Sequence, residues 1–209
     1  MANQKFDPAA LSSAASSSLE ARARELHSAK RFSESVRLLR EVLAARLESQ
    51  GERHFQTINA RSGLARSLRA IHQYDECFGL YTENIRIHTD KLGPEHPQTL
   101  RSLSRLANTY FAAGWYSDAR PMFEEILAKR IEVLGQEHPD TLRSRSSLAN
   151  TLAALGLYSE AASLHQEIIE DRVRVLGPDH PRTELSRKRL ETARQAAQTG
   201  QFNLDNYGV

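Results

Sequence analysis

The sequence repeats itself with a fixed period of 42 residues. The block LGPEHPQTLRSLSRLAN at 92–108 returns as LGQEHPDTLRSRSSLAN at 134–150, and a third copy begins with LGPDHPRTEL at 176–185. A period of this size usually means that similar structural units are stacked along the chain, each burying its apolar face against the next. The repeat therefore predicts an array of like units.

Each period contains two helical patterns. In the best-defined unit, apolar residues at i, i+3, i+4 and i+7 form one helical stripe: Leu103, Leu106, Ala107 and Tyr110. A second stripe follows with the same spacing: Ala119, Met122, Phe123 and Ile126. Two helices per period indicate a helix-turn-helix unit.

Turn residues separate these helices. Gly114 suits a left-handed helix end, and the hydroxyl of Ser117 is expected to cap the helix that follows. Gly93 is expected to end the preceding helix, and Pro97 has the fixed φ that suits the first turn of the next one. The repeated block is therefore mainly turn and packing sequence.

Extended along the chain, this register predicts an all-α protein, a right-handed α-solenoid with about nine helices. Four helix pairs and a capping helix are expected over residues 16–198, with a disordered segment at 1–15 and a C-terminal tail at 199–209. The last helix, ETARQAAQTGQ, replaces apolar positions with polar ones, as the end of an array requires.

The pattern Leu-Ala-x-x-Tyr, then Gly-x-Tyr-x-x-Ala and an aromatic residue four positions on, resembles the tetratricopeptide repeat. The 42-residue period with LGPEHPQTLRSLSRLANTY is similar to the kinesin-light-chain type of that repeat, over roughly residues 16–198. The proline that closes the usual shorter repeat is missing, so each second helix is expected to continue for about two more turns. The resemblance implies a scaffold that binds proteins or peptides.

No motif for catalysis or cofactor binding is present. The sequence contains no Gly-rich phosphate loop, no nucleophile elbow and no Cys-x-x-Cys pair, so we predict no catalytic residue and no cofactor. His96, His138 and His180 recur at the repeat period, but equivalent positions in a helix-pair stack lie about 16–20 Å apart. Zinc needs its nitrogen ligands about 2.1 Å from one ion, so we predict no metal site and expect these histidines to order the turns.

Composition narrows the partner classes. Lys plus Arg total 28 and Asp plus Glu total 26, a balance that argues against a nucleic-acid partner. Cys77 is the single cysteine, and we find neither a signal peptide nor an apolar run approaching the ~20 residues that span a bilayer. We therefore expect a cytoplasmic protein without a membrane segment. His165 replaces an aromatic residue of the repeat and is expected to be buried.

The resemblance also implies where a partner would bind. In this family the concave groove is built from the first helix of each pair, and the partner-binding positions carry over by register to Arg24, Arg66, Arg69, Arg101, Asn108, Phe111, Arg143 and Asn150. Serines occupy further groove positions, namely Ser62, Ser104 and Ser146, whereas Glu20 is the one acid. Arginine binds carboxylates bidentately and asparagine amides can hold a peptide backbone. The predicted function is thus an adaptor for an acidic partner segment.

Two other function classes remain open. The groove could serve an enzyme or a small-molecule-binding protein, which would require carboxylates or histidines of shifted pKa along it. Alternatively, the chain could self-associate as a homo-oligomer. A further hypothesis concerns the tail, in which Phe202, Leu204, Asp205 and Tyr207 resemble the proposed ligand of kinesin-light-chain grooves, an aromatic or leucine residue beside acids. Such a tail would compete with the partner for the groove.

Overall fold

The computed structural model describes residues 13–203, and the regular secondary structure of this range is helical throughout. Its helices are α1 (Ser13–Ser28), α2 (Phe32–Gln50), α3 (Phe55–Ala70), α4 (Tyr74–Leu92), α5 (Pro97–Ala112), α6 (Tyr116–Leu134), α7 (Pro139–Ala154), α8 (Tyr158–Leu176) and α9 (Pro181–Thr199). The predicted all-α repeat fold is confirmed. Most of the predicted segment 1–15, and Leu204, Asp205 and Tyr207 of the tail, lie outside the described residues.

The chain divides into two compact units, Met1–Pro94 and Glu95–Val209. In the first unit α1 packs on α2 and α3, and α3 packs on α4. In the second unit α5 packs on α6 and α7, α7 packs on α8, and α8 packs on α9. First helices α1, α3, α5 and α7 have 16 residues and second helices α2, α4, α6 and α8 have 19, so the expected extension of the second helices is confirmed.

The turns follow the glycine and proline pattern with one exception. Gly93 and Gly114 have φ of 92° and 82°, the left-handed conformation that glycine tolerates best, and α5 begins at Pro97. The predicted Ser117 cap is wrong, because Trp115 occupies the N-cap position of α6 without a side-chain cap bond. The backbone N–H of Trp115 donates to Tyr110 O at 2.9 Å and closes the turn after α5, and α6 begins directly afterwards at Tyr116, so Ser117 lies inside its first turn.

The recurring histidines are helix caps. His54, His96, His138 and His180 are the N-cap residues of α3, α5, α7 and α9. In each, Nδ1 accepts the backbone N–H of the residue two positions later, at 3.1–3.3 Å. His54 extends the series one period upstream, although its turn lacks the proline. The expected role in ordering the turns is confirmed.

Small residues lie where the helices of a unit approach closely. At one position of the repeat, each first helix from α1 to α7 has an alanine without exposed surface: Ala23, Ala65, Ala107 and Ala149. In the second unit Ala107 belongs to a core cluster with Phe111, Phe123 and Leu152. None of the helices within 13–203 combines the length and apolar character needed to cross a bilayer.

We expect Ala107→Leu to lower the free energy of unfolding by about 1–3 kcal/mol, because three added carbons cannot fit a filled helix contact without displacing neighbours. Ala112→Leu, at an exposed position of the same helix, is the matched control. Urea denaturation followed by circular dichroism measures both. Equal stability of the two variants would contradict the close helix approach.

Loss of a histidine cap should also be measurable. His138→Ala removes the acceptor for the N–H of Asp140 and is expected to cost about 0.5–2 kcal/mol of unfolding free energy. His138→Asn supplies a side-chain oxygen in its place and should retain most of the stability. Equal destabilisation by the alanine and asparagine variants would show that the imidazole contributes by packing and not as a cap.

Candidate partner-binding site

A cavity of about 310 Å³ lies in the second unit between the first helices α5 and α7, with α6 contributing to its wall. We call it the arginine cavity. Its lining residues are Arg101, Ser104, Arg105, Asn108, Phe123, Arg130, Arg143, Ser144 and Ser147. Four of these carry a guanidinium group, and none is a carboxylate or a histidine. The arginine cavity is therefore suited to an anion.

Arg130 is the buried cation of the cavity, with 3% of its surface exposed. Its Nη1 donates to Asp140 O at 3.1 Å and to the hydroxyl of Ser144, and its Nη2 donates to Leu100 O at 3.4 Å. Burial, followed by the positive charges of Arg143 and Arg101, lowers the pKa of Arg130 to about 10. Arg130 stays protonated at neutral pH, so the cavity contains a fixed positive charge.

The other arginines of the cavity add charge nearer to solvent. Arg101 is exposed, and no carboxylate of residues 13–203 lies within ion-pair distance of it. Arg143 pairs with Asp140 at the start of α7. Burial and then the charges of Arg101, Arg182 and Arg105 lower the pKa of Arg143. These mutual effects mean that like charges are concentrated around the cavity, where an anion would reduce their repulsion.

Arg130 belongs to a series that we call the inter-repeat arginines, Arg46, Arg130 and Arg172. Each is buried near the end of a second helix and donates from Nη1 to a carbonyl in the first turn of the next helix, at 2.8, 3.1 and 2.9 Å respectively. The sequence pattern did not predict the inter-repeat arginines. Each lies five residues before the glycine that ends its second helix.

The inter-repeat arginines differ in how their charge is neutralised. In the first unit Glu20 Oε2 lies 2.7 Å from Arg46 Nη2, and the two side chains are 19% and 3% exposed. Glu20 lies 26 residues before Arg46, and the residue 26 positions before Arg130 is Ser104. The hydroxyl of Ser104 donates to Leu100 O at 2.8 Å. No carboxylate within residues 13–203 pairs with Arg130. The cavity therefore opens where the first unit has a carboxylate.

The first unit carries the remaining predicted arginines. Arg24 on α1 and Arg66 on α3 are exposed, and Arg69 is half-buried. Burial, then the charges of Arg66 and Arg69, lowers the pKa of His27, whose Nδ1 lies 3.0 Å from the hydroxyl oxygen of Ser67. The first helices of this unit thus also present a basic surface.

The predicted residues of the second unit do not all meet. Arg101, Asn108 and Arg143 line the cavity. Phe111 instead lies in the core, 7% exposed, with its ring centroid 5.0 Å from that of Tyr116. Asn150 is 9% exposed, and its Oδ1 accepts no hydrogen bond from residues 13–203. The sequence pattern did not predict four of the polar residues that line the cavity, namely Arg105, Arg130, Ser144 and Ser147. Phe123, which also lines it, was expected only as a packing residue.

Comparison with known families agrees with the repeat architecture. A tetratricopeptide repeat model matches residues 56–132, and a second tetratricopeptide repeat model matches residues 141–182, together more than half of the chain. The chain belongs to the tetratricopeptide repeat family. Tetratricopeptide repeats are generally protein-interaction scaffolds, which supports the coarse function predicted from the sequence. No curated protein matches the chain.

Solved structures identify the type of repeat. This tetratricopeptide repeat protein is similar to a putative kinesin light chain with nearly identical TPR-like repeats from Podosopora anserina, with 29% identity and a TM-score of 0.73 over 93% of this chain and 90% of that one. A single-residue variant of that protein has also been solved. Its structure is 29% identical to this chain, with a TM-score of 0.74 over 88% of this chain and 87% of the variant. BtubC (BKLC) from P. vanneervenii shares the fold at 19% identity, with a TM-score of 0.68 over 85% and 69%. The predicted kinesin-light-chain type of repeat is confirmed.

His165 shows that a titratable group in this tetratricopeptide repeat array can take the place of a packed aromatic residue. It stands in α8 where Phe123 stands in α6, and it is fully buried. Burial, and then the charges of Arg189 and Arg172, lowers the pKa of His165 to about 3. The imidazole is therefore neutral in the folded protein at neutral pH, as expected for a substitute of an aromatic residue.

This burial predicts a loss of stability in acid. The folded pKa of His165 lies below the unfolded value of about 6.5, so its contribution is complete above pH 6.5 and is lost as pH falls towards 3. The loss should reach about 2 kcal/mol at pH 5. His165→Phe should flatten the dependence of unfolding free energy on pH between 7 and 5, measured by urea denaturation. An unchanged slope would mean that His165 is accessible to protons in the folded state.

Proposed function

We propose that this tetratricopeptide repeat protein is an adaptor that binds an acidic segment of a partner protein on its first helices. The observation that carries the proposal is the arginine cavity, with four guanidinium groups and no carboxylate among its lining residues. Guanidinium groups bind carboxylates with two parallel hydrogen bonds, which adds geometric specificity to charge attraction. A partner segment with Asp or Glu residues is the complementary ligand.

The distribution of charge supports an acidic partner. The chain as a whole has a formal net charge of only +2, so the basic first-helix surfaces are a local feature. In the first unit Arg24 and Arg66 are exposed, and in the second unit Arg101 is exposed. Such local charge raises the rate of encounter with an acidic partner and disfavours basic ones.

Polar groups beside the arginines suit an extended segment. Asn108 lines the cavity, and its Nδ2 donates to Ser104 O at 2.6 Å, which fixes the amide on the surface of α5. A fixed amide beside a guanidinium can bond a peptide backbone while the guanidinium binds an acidic side chain. A cytoplasmic site of action is part of the proposal. Cys77 is a free, buried thiol that donates to Ala65 O, and a cysteine without a disulfide suits a reducing compartment.

Charge reversal tests the proposal in each unit separately. The variant Arg101→Glu with Arg143→Glu, and the variant Arg24→Glu with Arg66→Glu, should weaken binding of fluorescein-labelled peptides that place leucine or an aromatic residue beside Asp and Glu. Truncating an arginine that dominates an interface typically costs more than about 2 kcal/mol, or roughly 30-fold in Kd. Fluorescence anisotropy at several salt concentrations measures Kd, and the salt dependence should fall as well.

The matched control is Arg120→Glu with Arg194→Glu, which changes net charge equally. Arg120 pairs with Glu124 along α6, and Arg194 is exposed on α9; neither lines the cavity. Circular dichroism spectra of all variants should overlay. If the control weakens binding as much as the first-helix variants, the interaction depends on net charge alone and the proposed site is excluded.

A further inference from the structure

Equivalent positions of the repeat are filled in three ways, and at the third of them the Ser146 hydroxyl accepts a hydrogen bond from Arg172 at 2.8 Å. In the first unit the carboxylate of Glu20 reaches the buried guanidinium of Arg46 at 2.7 Å. In the second unit the equivalent residues are Ser104 and Arg130, and both line a cavity of about 310 Å³. The serine side chain is too short to bring an oxyanion to the guanidinium. The protein thus contains, within its own repeats, both an internally neutralised form of this position and an open form.

We propose that the arginine cavity binds the phosphate group of a phosphorylated serine or threonine in the partner segment. The proposal rests on the proposed function and names the group that its principal site recognises. Arg130 provides the buried charge, Arg101, Arg105 and Arg143 surround the phosphate, and Ser104 marks the place that a carboxylate has in the first unit.

The number of cationic groups favours phosphate over a single carboxylate. A phosphorylated side chain carries about −1.5 to −2 charges at pH 7 and three strong acceptor oxygens. A carboxylate carries one charge and two oxygens, so it pairs bidentately with one guanidinium fork. Clusters of arginine residues are a recurring means of recognising phosphorylated segments. Four guanidinium groups surround the cavity, and with Asp140 pairing Arg143 the remaining positive charge still exceeds that of one carboxylate and matches a dianion.

The neutral groups of the cavity suit the same ligand. Ser144 accepts a hydrogen bond from Arg130, and its own hydroxyl proton remains available for donation to a phosphate oxygen. Ser147 adds a second hydroxyl to the lining. About 310 Å³ lies at the lower end of the range for ligand sites, which fits one phosphorylated side chain better than a bulky cofactor.

The repulsion among the arginines gives the binding an electrostatic driving force. The charges of Arg101 and Arg143 lower the pKa of Arg130, after burial, and the charges of Arg101 and Arg105 lower that of Arg143. The guanidinium groups of Arg101, Arg105 and Arg143 lie around Arg130, and Asp140 neutralises Arg143 in part. A phosphate group between them replaces repulsion with attraction, whereas the exposed acidic residues of the partner contribute mainly at the rim.

The test uses the full chain and a variant for which the first unit supplies the structural precedent. Ser104→Glu should place a carboxylate against Arg130 as Glu20 does against Arg46, keeping the fold while occupying the site. Ser117→Glu, at an exposed position of α6 outside the cavity, adds the same charge and is the control. Thermal melts of both variants establish that they are folded.

Three degenerate peptide libraries are compared, with phosphoserine, glutamate or serine fixed at the centre and acidic flanks. We expect the wild-type protein and Ser117→Glu to bind the phosphoserine library at least tenfold more tightly than the glutamate library, by fluorescence anisotropy. Ser104→Glu should remove that preference. Phenyl phosphate and inorganic phosphate, titrated by calorimetry, should bind at least tenfold more weakly than the phosphoserine library.

Each other outcome has a distinct meaning. Equal affinity for the phosphoserine and glutamate libraries, with both weakened in the Arg101→Glu and Arg143→Glu variant, would overturn the phosphate site and leave the acidic adaptor intact. A phosphoserine preference that survives in Ser104→Glu would place phosphate recognition outside the cavity and overturn the assignment. If phenyl phosphate binds as tightly as the phosphoserine library, the ligand is a small phosphorylated molecule, and the proposal that the phosphate belongs to a partner segment is contradicted. Absence of binding to every library would overturn the proposed function as well.

Discussion

The hydrogen bonds from the inter-repeat arginines to backbone carbonyls determine how successive helix pairs meet within each unit. A second helix ends with a buried guanidinium group, and the next first helix begins with carbonyls that accept its protons. A buried charge is tolerated only when such partners replace water, so the contact is demanding in geometry. Arg130 shows the consequence, because the bonds that fasten α6 to the start of α7 also hold a positive charge beside the arginine cavity.

Most of the helical architecture could be predicted from the sequence because the same pattern of apolar and turn residues recurs in each repeat. The predicted helix end at Gly93 and helix start at Pro97 are confirmed, since the backbone constraints of glycine and proline depend on few neighbours. The predicted cap at Ser117 is wrong because the short turn returns the chain to a helix at Tyr116. Phe111 lies four residues after Ala107, hence on the same packed face of α5, which explains why it is in the core and not at the cavity.

The arginine cavity itself could be predicted only in part. Arg101 and Asn108 are seven residues apart and share a face of α5, as the register indicated. Arg130 was missed because it belongs to a second helix, and a charged residue there is ordinarily solvated. Whether a helix contact is filled or open depends on the sizes of side chains from three helices at once. Ser104, Ser144 and Ser147 are short, and only their combination in space leaves about 310 Å³ unfilled.

The three inter-repeat arginines show one buried cation in three environments. Arg46 is neutralised by Glu20, which secures the first unit without need of a ligand. Arg172 is surrounded by the hydroxyls of Ser146 and Ser186, and its charge helps to hold the neighbouring His165 neutral. Arg130 has the same backbone contact but faces a cavity instead of a carboxylate. The structural bond is common to all three arginines, and Arg130 differs from Arg172 in that its guanidinium group borders an open cavity, which is the space in which the proposed anionic ligand would bind.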